Sequence, residues 1–182
     1  MLGLGALCDP ERAGSKRLGW RIVDELMPWL DKDLGPGEEI VQAQAPLAIA
    51  RLLGRGDSAA HQRCKEFLIG LLNANSRRGT AVLQSAAIAL GLLSLPAEVC
   101  AEDAAVATAL RKTYQRGAEP HLRLFAVMAM GRIGGDANRA WLLAEYPRGN
   151  QLMEQPWLAL ALGLLARDRA YAGVVDAEIG KL

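Results

Sequence analysis

The chain has 182 residues, of which 51% are apolar, 23% charged and 5% aromatic, and its 21 lysines and arginines nearly balance 20 aspartates and glutamates. That composition belongs to a folded globular protein and excludes a disordered one, while the even charge speaks against a chain held mainly on nucleic acid, which needs a basic stripe. Leu and Ala dominate the apolar part and β-branched runs are nearly absent, which points to helices rather than a sheet.

No apolar stretch approaches the roughly 18–20 residues of a membrane span. Residues 1–7 are too short for a secretory core and carry no basic leader. Leu7, which precedes Cys8, is not the small residue of a lipoprotein cleavage site. Cys8, Cys64 and Cys100 are odd in number and widely spaced, so neither a disulfide framework nor a zinc site is indicated. The expected compartment is a reducing one, the cytoplasm.

In chain order, residues 16–34 place Leu18, Ile22, Leu26 and Leu30 on one helical face, with Pro28 predicting a kink or two shorter helices. A turn is expected at 35–37. Asp57 and Ser58 are suited to cap a helix running to about Asn73, with Phe67, Leu68, Leu71 and Leu72 inward. After a turn at 76–80 comes an Ala/Leu-rich helix over 82–93, then a turn at 95–100. Asp103 opens a helix to about Arg116, with Val106, Ala107, Leu110 and Tyr114 inward. Over 120–134, Leu122, Ala126, Ala129, Met130 and Ile133 recur at helical spacing, Pro120 suits the first turn, and Gly134-Gly135 ends the helix. Asp136 opens a short helix over 141–143, 146–150 is a turn, and Asp168 begins a last segment around Val174.

Internal repetition is plain. Residues 4–10, 90–96, 130–136 and 162–168 read alike around a Gly, and 50–57 has Arg in its place. With Gly5, Arg51, Gly91, Gly131 and Gly163 as anchors, the intervals are 46, 40, 40 and 32. Each anchor lies near the end of an Ala/Leu-rich helix, and the helices between are more amphipathic and more charged. Small residues at fixed places let neighbouring helices approach closely, as a stacked helical hairpin requires.

The run 120–134 resembles the second helix of a HEAT repeat in its short, bacterial form. Pro120, Leu122, Arg123, Ala126, Ala129, Gly131, Ile133 and Gly134 carry the likeness, with Val127 and Met130 close to the pattern. Residues 82–93 share Ala86, Ala87, Ala89, Leu90, Gly91 and Leu93, with Leu83 in the Arg position. The segment ending at Gly163 shares Ala161, Leu162, Gly163 and Leu165, with Gln155 in the Arg position. Residues 16–41 fit poorly. The resemblance implies an all-α fold, an α-α superhelix (HEAT/ARM-like solenoid) of about four to five stacked helical hairpins, forming one repeat domain over 1–182. Residues 4–10 resemble the end of a repeat, and 180–182 lack a polar capping helix, so more repeats are expected on both sides.

Chemistry-bearing constellations are sparse. His61 and Cys64 lie three apart without a further ligand at a matching spacing, and His121 sits beside a helix start. Catalytic residues, cofactor and metal are all expected to be none. Deoxyhypusine hydroxylase-like HEAT proteins hold iron with His-Glu pairs, whereas here Gln62 follows His61 and Leu122 follows His121. A phycobilin-lyase-like or DNA-glycosylase-like enzyme is the alternative that the resemblance leaves open. The excess of Arg51, Arg55, Arg63, Lys65, Arg77 and Arg78 over Asp57 and Glu66 reads as a solvated face or an acid-binding patch. Trp20, Trp29, Trp141 and Trp157 read as packing residues.

The second helices over 82–93 and up to Gly163 are apolar nearly all round, which requires something to cover them: tight superhelical curvature, flanking repeats, or a partner helix or peptide. In a solenoid they line the concave face. Ile88, Leu92, Met128 and Leu160 therefore form the expected partner-binding strip, with Arg51, Arg123 and Arg132 at its edges. The function expected is that of a non-catalytic scaffold for another protein or for the rest of its own chain.

Overall fold

The structure, a computed structural model, describes residues 13–32, 34, 37–73 and 78–167. The elements among them are α1 (Ala13–Leu30), α2 (Glu39–Gln42), α3 (Gln44–Leu53), α4 (Ala59–Asn73), α5 (Thr80–Leu93), α6 (Ala104–Arg116), α7 (Pro120–Ile133), α8 (Asp136–Glu145) and α9 (Gln155–Ala166), with single 3₁₀ turns at Ala101–Asp103 and Tyr146–Arg148. No strand occurs among the described residues. The repeat-like residues 4–10, Arg77 and the segment beginning at Asp168 lie outside them. Two compact units are present, Met1–Ser94 and Leu95–Leu182.

In the first unit α3 packs on α1, α2 and α5, and α4 lies against α5. The approach of α1 to α3 is close at Gly19, where a Cβ would stand 3.5 Å from the Leu52 carbonyl oxygen. Of the two outcomes expected at Pro28, two shorter helices are not found: α1 is one helix through Pro28 and ends two residues later. In the last turn a proline removes only a hydrogen bond near an end that is already short of partners. The end comes at Leu30 rather than near Leu34 because side chains from elsewhere collect its carbonyls. Gln42 Nε2 donates to the carbonyls of Trp29 at 3.2 Å and Lys32 at 2.8 Å. Arg78 donates to the carbonyls of Asp31 at 2.6 Å and Lys32 at 2.9 Å, and pairs with the Asp31 carboxylate at 3.0 Å. Gln42 is buried, so Gln42→Ala should destabilise the protein by about 1–3 kcal/mol by removing both of these hydrogen bonds. Urea unfolding of both proteins measures this.

The inward face of α1 is turned slightly from the one expected. Val23 and Leu30 are buried, whereas Ile22 and Leu26 are half-buried. In α4, Leu68 and Leu71 are buried as expected, Phe67 and Leu72 half so, and His61, Cys64 and Lys65 join them inside. Ser58 caps this helix, its hydroxyl oxygen 3.5 Å from the His61 amide and 2.7 Å from Nδ1 of the same ring. Lys65 Nζ donates to the Gly56 carbonyl at 2.8 Å, which explains how so large a cation can be enclosed.

In the second unit α7 is central, packing on α6, α8 and α9. Val106, Ala107, Leu110 and Tyr114 of α6 are buried, as the spacing implies. Asp103 precedes α6 without capping it. Its carboxylate accepts instead from the Leu95 amide at 2.7 Å and closes the preceding turn. Glu119 caps α7 by accepting from the Leu122 amide at 2.5 Å. At its other end Gly134 and Gly135 both take positive φ, 78° and 90°, a conformation that favours glycine. Ala86, Leu90, Ala126, Met130, Leu158 and Leu162, the residues expected at the centre of the packing, are all fully enclosed.

Candidate functional site

The second unit builds its most distinctive surface from α7 and α9. Three contacts set their relation. Arg123 pairs with Glu154 at 2.5 Å, the rings of Phe125 and Trp157 meet edge to face at 6.0 Å, and a Cβ on Gly131 would stand 2.7 Å from the Ala161 Cα. The partners advance together along both helices, so α7 and α9 are parallel neighbours in matching register. Glycine at 131 is what permits the approach: any side chain there would enter the backbone of α9.

Beyond the aromatic pair, Met128 lies one turn after Phe125 and Leu160 one turn after Trp157, each on the same flank as its predecessor. Phe125, Met128 and Trp157 are half-buried, and Leu160 is 50% exposed. Arg132 follows on the flank of α7 and Leu164, then Arg167, on that of α9. Arg132 and Arg167 are exposed. Leu152 and Met153, in the turn that leads into α9, are 88% and 55% exposed.

The helices differ sharply in how much of this apolar character they hide. In α7, Leu122, Leu124, Ala126, Val127, Ala129, Met130, Gly131 and Ile133 are buried, positions that go round most of the helix. The α9 sequence is at least as apolar and holds no charged residue, yet only Leu158, Ala161, Leu162 and Leu165 are buried, one stripe at helical spacing. Pro156, Ala159, Leu160 and Gly163 are exposed, and a Cβ on Gly163 would meet nothing within 4 Å. A surface-facing apolar helix face of this kind is the usual mark of an interaction site.

The remaining members of the expected strip are distributed as follows. Ile88 and Leu92 stand one turn apart on α5 in the first unit, both half-buried, and Arg51 is exposed in the last turn of α3. Within the second unit the structure brings Met128 and Leu160 to one surface with Arg132. Arg123 is differently employed. Its Nε donates to the Tyr114 carbonyl at 2.7 Å, its guanidinium lies 5.2 Å from the centre of the Tyr114 ring, and its pairing with Glu154 ties α7 to the start of α9. The other Glu154 oxygen accepts from the Asn150 amide at 3.0 Å. Arg123 is therefore a brace between elements. Phe125 and Trp157 lie outside the expected strip, though a signal existed: they are 32 residues apart, the same interval that separates Met128 from Leu160.

Other sequence features resolve into packing. Trp20 meets His61 edge to face at 5.3 Å, and Trp141 meets Tyr114 at 5.4 Å with the Arg111 guanidinium 5.9 Å from its ring centre. His61 and Cys64 turn to different partners, the His61 ring to Ser58 and the Leu53 carbonyl, and the Cys64 thiol to the Met27 sulfur at 3.6 Å. Burial pushes the Cys64 thiol up to about 11. Burial likewise pushes the Tyr114 phenol up to about 12, with Glu154 and Glu145 adding to the effect and Arg123 opposing it. His121 is exposed and pairs with Glu119 at 3.0 Å. In the basic segment, Arg63 pairs with Asp24 at 3.3 Å, Lys65 is enclosed and Arg78 caps α1, so these three cations are engaged in contacts within the first unit. Among the described residues, no group of three His, Cys, Asp or Glu side chains could hold a metal ion, and no helix is long and apolar enough to cross a membrane.

No family model, curated protein or solved structure matches the chain. Among the described residues, fold and surface define a helical protein with an exposed apolar face on α9.

Proposed function

We propose that the protein is a non-catalytic interaction scaffold, built of HEAT-like helical hairpins, that docks a partner's helix or peptide on the α7–α9 surface. The observation that carries this reading is the mismatch on α9, whose uncharged sequence has the composition of an all-round buried helix but hides only one stripe. The parallel packing of α7 and α9 about a glycine and an alanine backbone also accords with the stacking of second helices in a solenoid. In this reading Phe125, Met128, Trp157 and Leu160 supply the contact area, and Ile88 and Leu92 are the corresponding positions of the first unit. Polar groups nearby, Arg123 and Glu154 above all, are held in internal bonds that position helices.

Leu160 is the residue that tests it. Leu160→Asp should leave the thermal midpoint within about 2 °C of the parent, because a side chain half in water loses little packing. Binding of a partner, reconstituted from purified components after recovery and identification by mass spectrometry, should fall at least tenfold. A steep fall in the midpoint would place Leu160 in the core, and undiminished binding would remove α9 from the docking surface.

A further inference from the structure

We infer that the partner segment is an uncharged, Ala/Leu-rich helix of another polypeptide that runs parallel to α9 along its open side, with a small residue over Gly163 and a large apolar one against Trp157. This rests on the docking surface proposed above and adds the kind of helix that fills it and the direction in which it lies.

The α7–α9 contact supplies the pattern. The interval of 32 residues that aligns Gly131 with Gly163 also aligns Leu124 with Pro156, Phe125 with Trp157, Val127 with Ala159 and Met128 with Leu160. In α7 the line formed by Leu124, Val127 and Gly131 is buried, and at Gly131 the cover is the backbone of α9, where a Cβ would stand 2.7 Å from the Ala161 Cα. In α9 the same line, formed by Pro156, Ala159 and Gly163, is exposed, and a Cβ on Gly163 would meet nothing within 4 Å. The bare side of α9 is therefore the counterpart of the side by which α7 receives α9, and the α7–α9 interface continues onto it.

The occupant's character follows from what α9 brings to α7. It brings Trp157 to the Phe125 ring and, four residues later, Ala161 to Gly131. A helix docked in the same way runs parallel, sets a large apolar side chain beside Trp157, and holds a residue no larger than alanine over Gly163, since the side chains at the contact fix how closely two helices approach. Charge is excluded along the contact. No charged residue occurs in α9, and Gln155 stands where Arg123 pairs with Glu154 in the preceding helix, so a charged group laid over this face would lose water without gaining a partner. A second copy cannot offer its own α9 in this way, because the side that carries Trp157 and Ala161 already faces its own α7.

The test uses the full chain and, as probe, a synthetic peptide of residues 154–167, which offers the side that α9 itself uses on α7. Fluorescence anisotropy of the labelled peptide gives the affinity. The expected result is saturable binding that Gly163→Ala weakens roughly tenfold or more, as overpacking a close contact does, while the thermal midpoint stays at or above that of the parent. The peptide variant Ala161→Leu should lose binding to the same degree. Disulfide capture reads the direction: Gln155→Cys in the protein should trap a peptide with cysteine at its first residue and not one with cysteine at its last. Binding that is lost in Leu160→Asp but unchanged in Gly163→Ala, or capture through the last residue alone, overturns the parallel helix and leaves the docking surface standing. Absence of peptide binding also overturns the parallel helix, and the docking reading falls with it only if a recovered partner binds Leu160→Asp undiminished. A dimer of the chain alone in sedimentation velocity, dissociated by Gly163→Ala, makes a second copy the occupant and overturns the separate partner.

Discussion

Gly131→Ala should destabilise the protein by about 3 kcal/mol, at the upper end of what overpacking a core does. The added Cβ would run into the Ala161 carbonyl oxygen and stand 2.7 Å from that residue's Cα and 2.8 Å from its carbonyl carbon. All three are backbone atoms, so no side chain can swing aside. Relief requires α9 to move away from α7, which opens the packing of Met130, Leu158 and Leu162, all enclosed in the native structure. The matched control is Gly163→Ala. Its Cβ would meet nothing within 4 Å, and alanine is favoured over glycine inside a helix by roughly 1 kcal/mol, so this variant should be slightly more stable than the parent. Denaturant unfolding of the pair checks both signs. Equal effects would mean that α7 and α9 do not meet at Gly131.

The second large effect lies at alkaline pH. Burial raises Cys64 from 9.0 to about 11, and burial aided by Glu154 and Glu145 raises Tyr114 from 10.0 to about 12. Both groups are neutral when protonated. Between the unfolded and folded values the native state keeps a proton that the unfolded chain has released, so stability falls as pH rises. The loss begins near pH 9 through Cys64 and near pH 10 through Tyr114, and is complete above the folded values. Cys64 accounts for about 2–3 kcal/mol, since each pH unit between its two values is worth about 1.4 kcal/mol. Tyr114 accounts for less, because water screens the part that the two carboxylates supply. Below pH 9 neither contributes a slope. Urea midpoints measured from pH 8 to pH 11.5 should show the decline, with Cys64→Ala flattening its first part and Tyr114→Phe its second. An unchanged slope in Tyr114→Phe would mean that the phenol reaches water.

The centres of α7 and α9 were legible in the sequence for a physical reason. Ala126, Met130, Leu158 and Leu162 sit in long Ala/Leu runs punctuated by Gly, where propensity, periodicity and close packing agree. The four-residue α2 was illegible because it is too short to show a period, and the inward face of α1 was displaced because its apolar stripe is broad. What the sequence hid most completely were interactions between distant residues. Arg78 caps α1 from 47 residues beyond Asp31, and Arg123 meets Glu154 across 31 residues, so neither partner could be paired by local pattern. Asp103 looks like a helix cap on position alone and closes a turn instead. The candidate surface was half legible: aligning the similar Gly-punctuated segments brings out Met128, Leu160 and Arg132, while local pattern assigns the aromatic Trp157 at its centre to packing and passes over Phe125.

The contrast between α7 and α9 also bears on how the second unit moves. A helix buried on most of its circumference can unfold only when its neighbours do, so α7 shares the full cooperative stability of its surroundings. One held along a single stripe has less buried surface to lose and should open at a smaller free energy. A segment that covers the open side of α9 would then do more than adhere to it: it would remove those partial openings and make α9 as firmly held as the helix beside it.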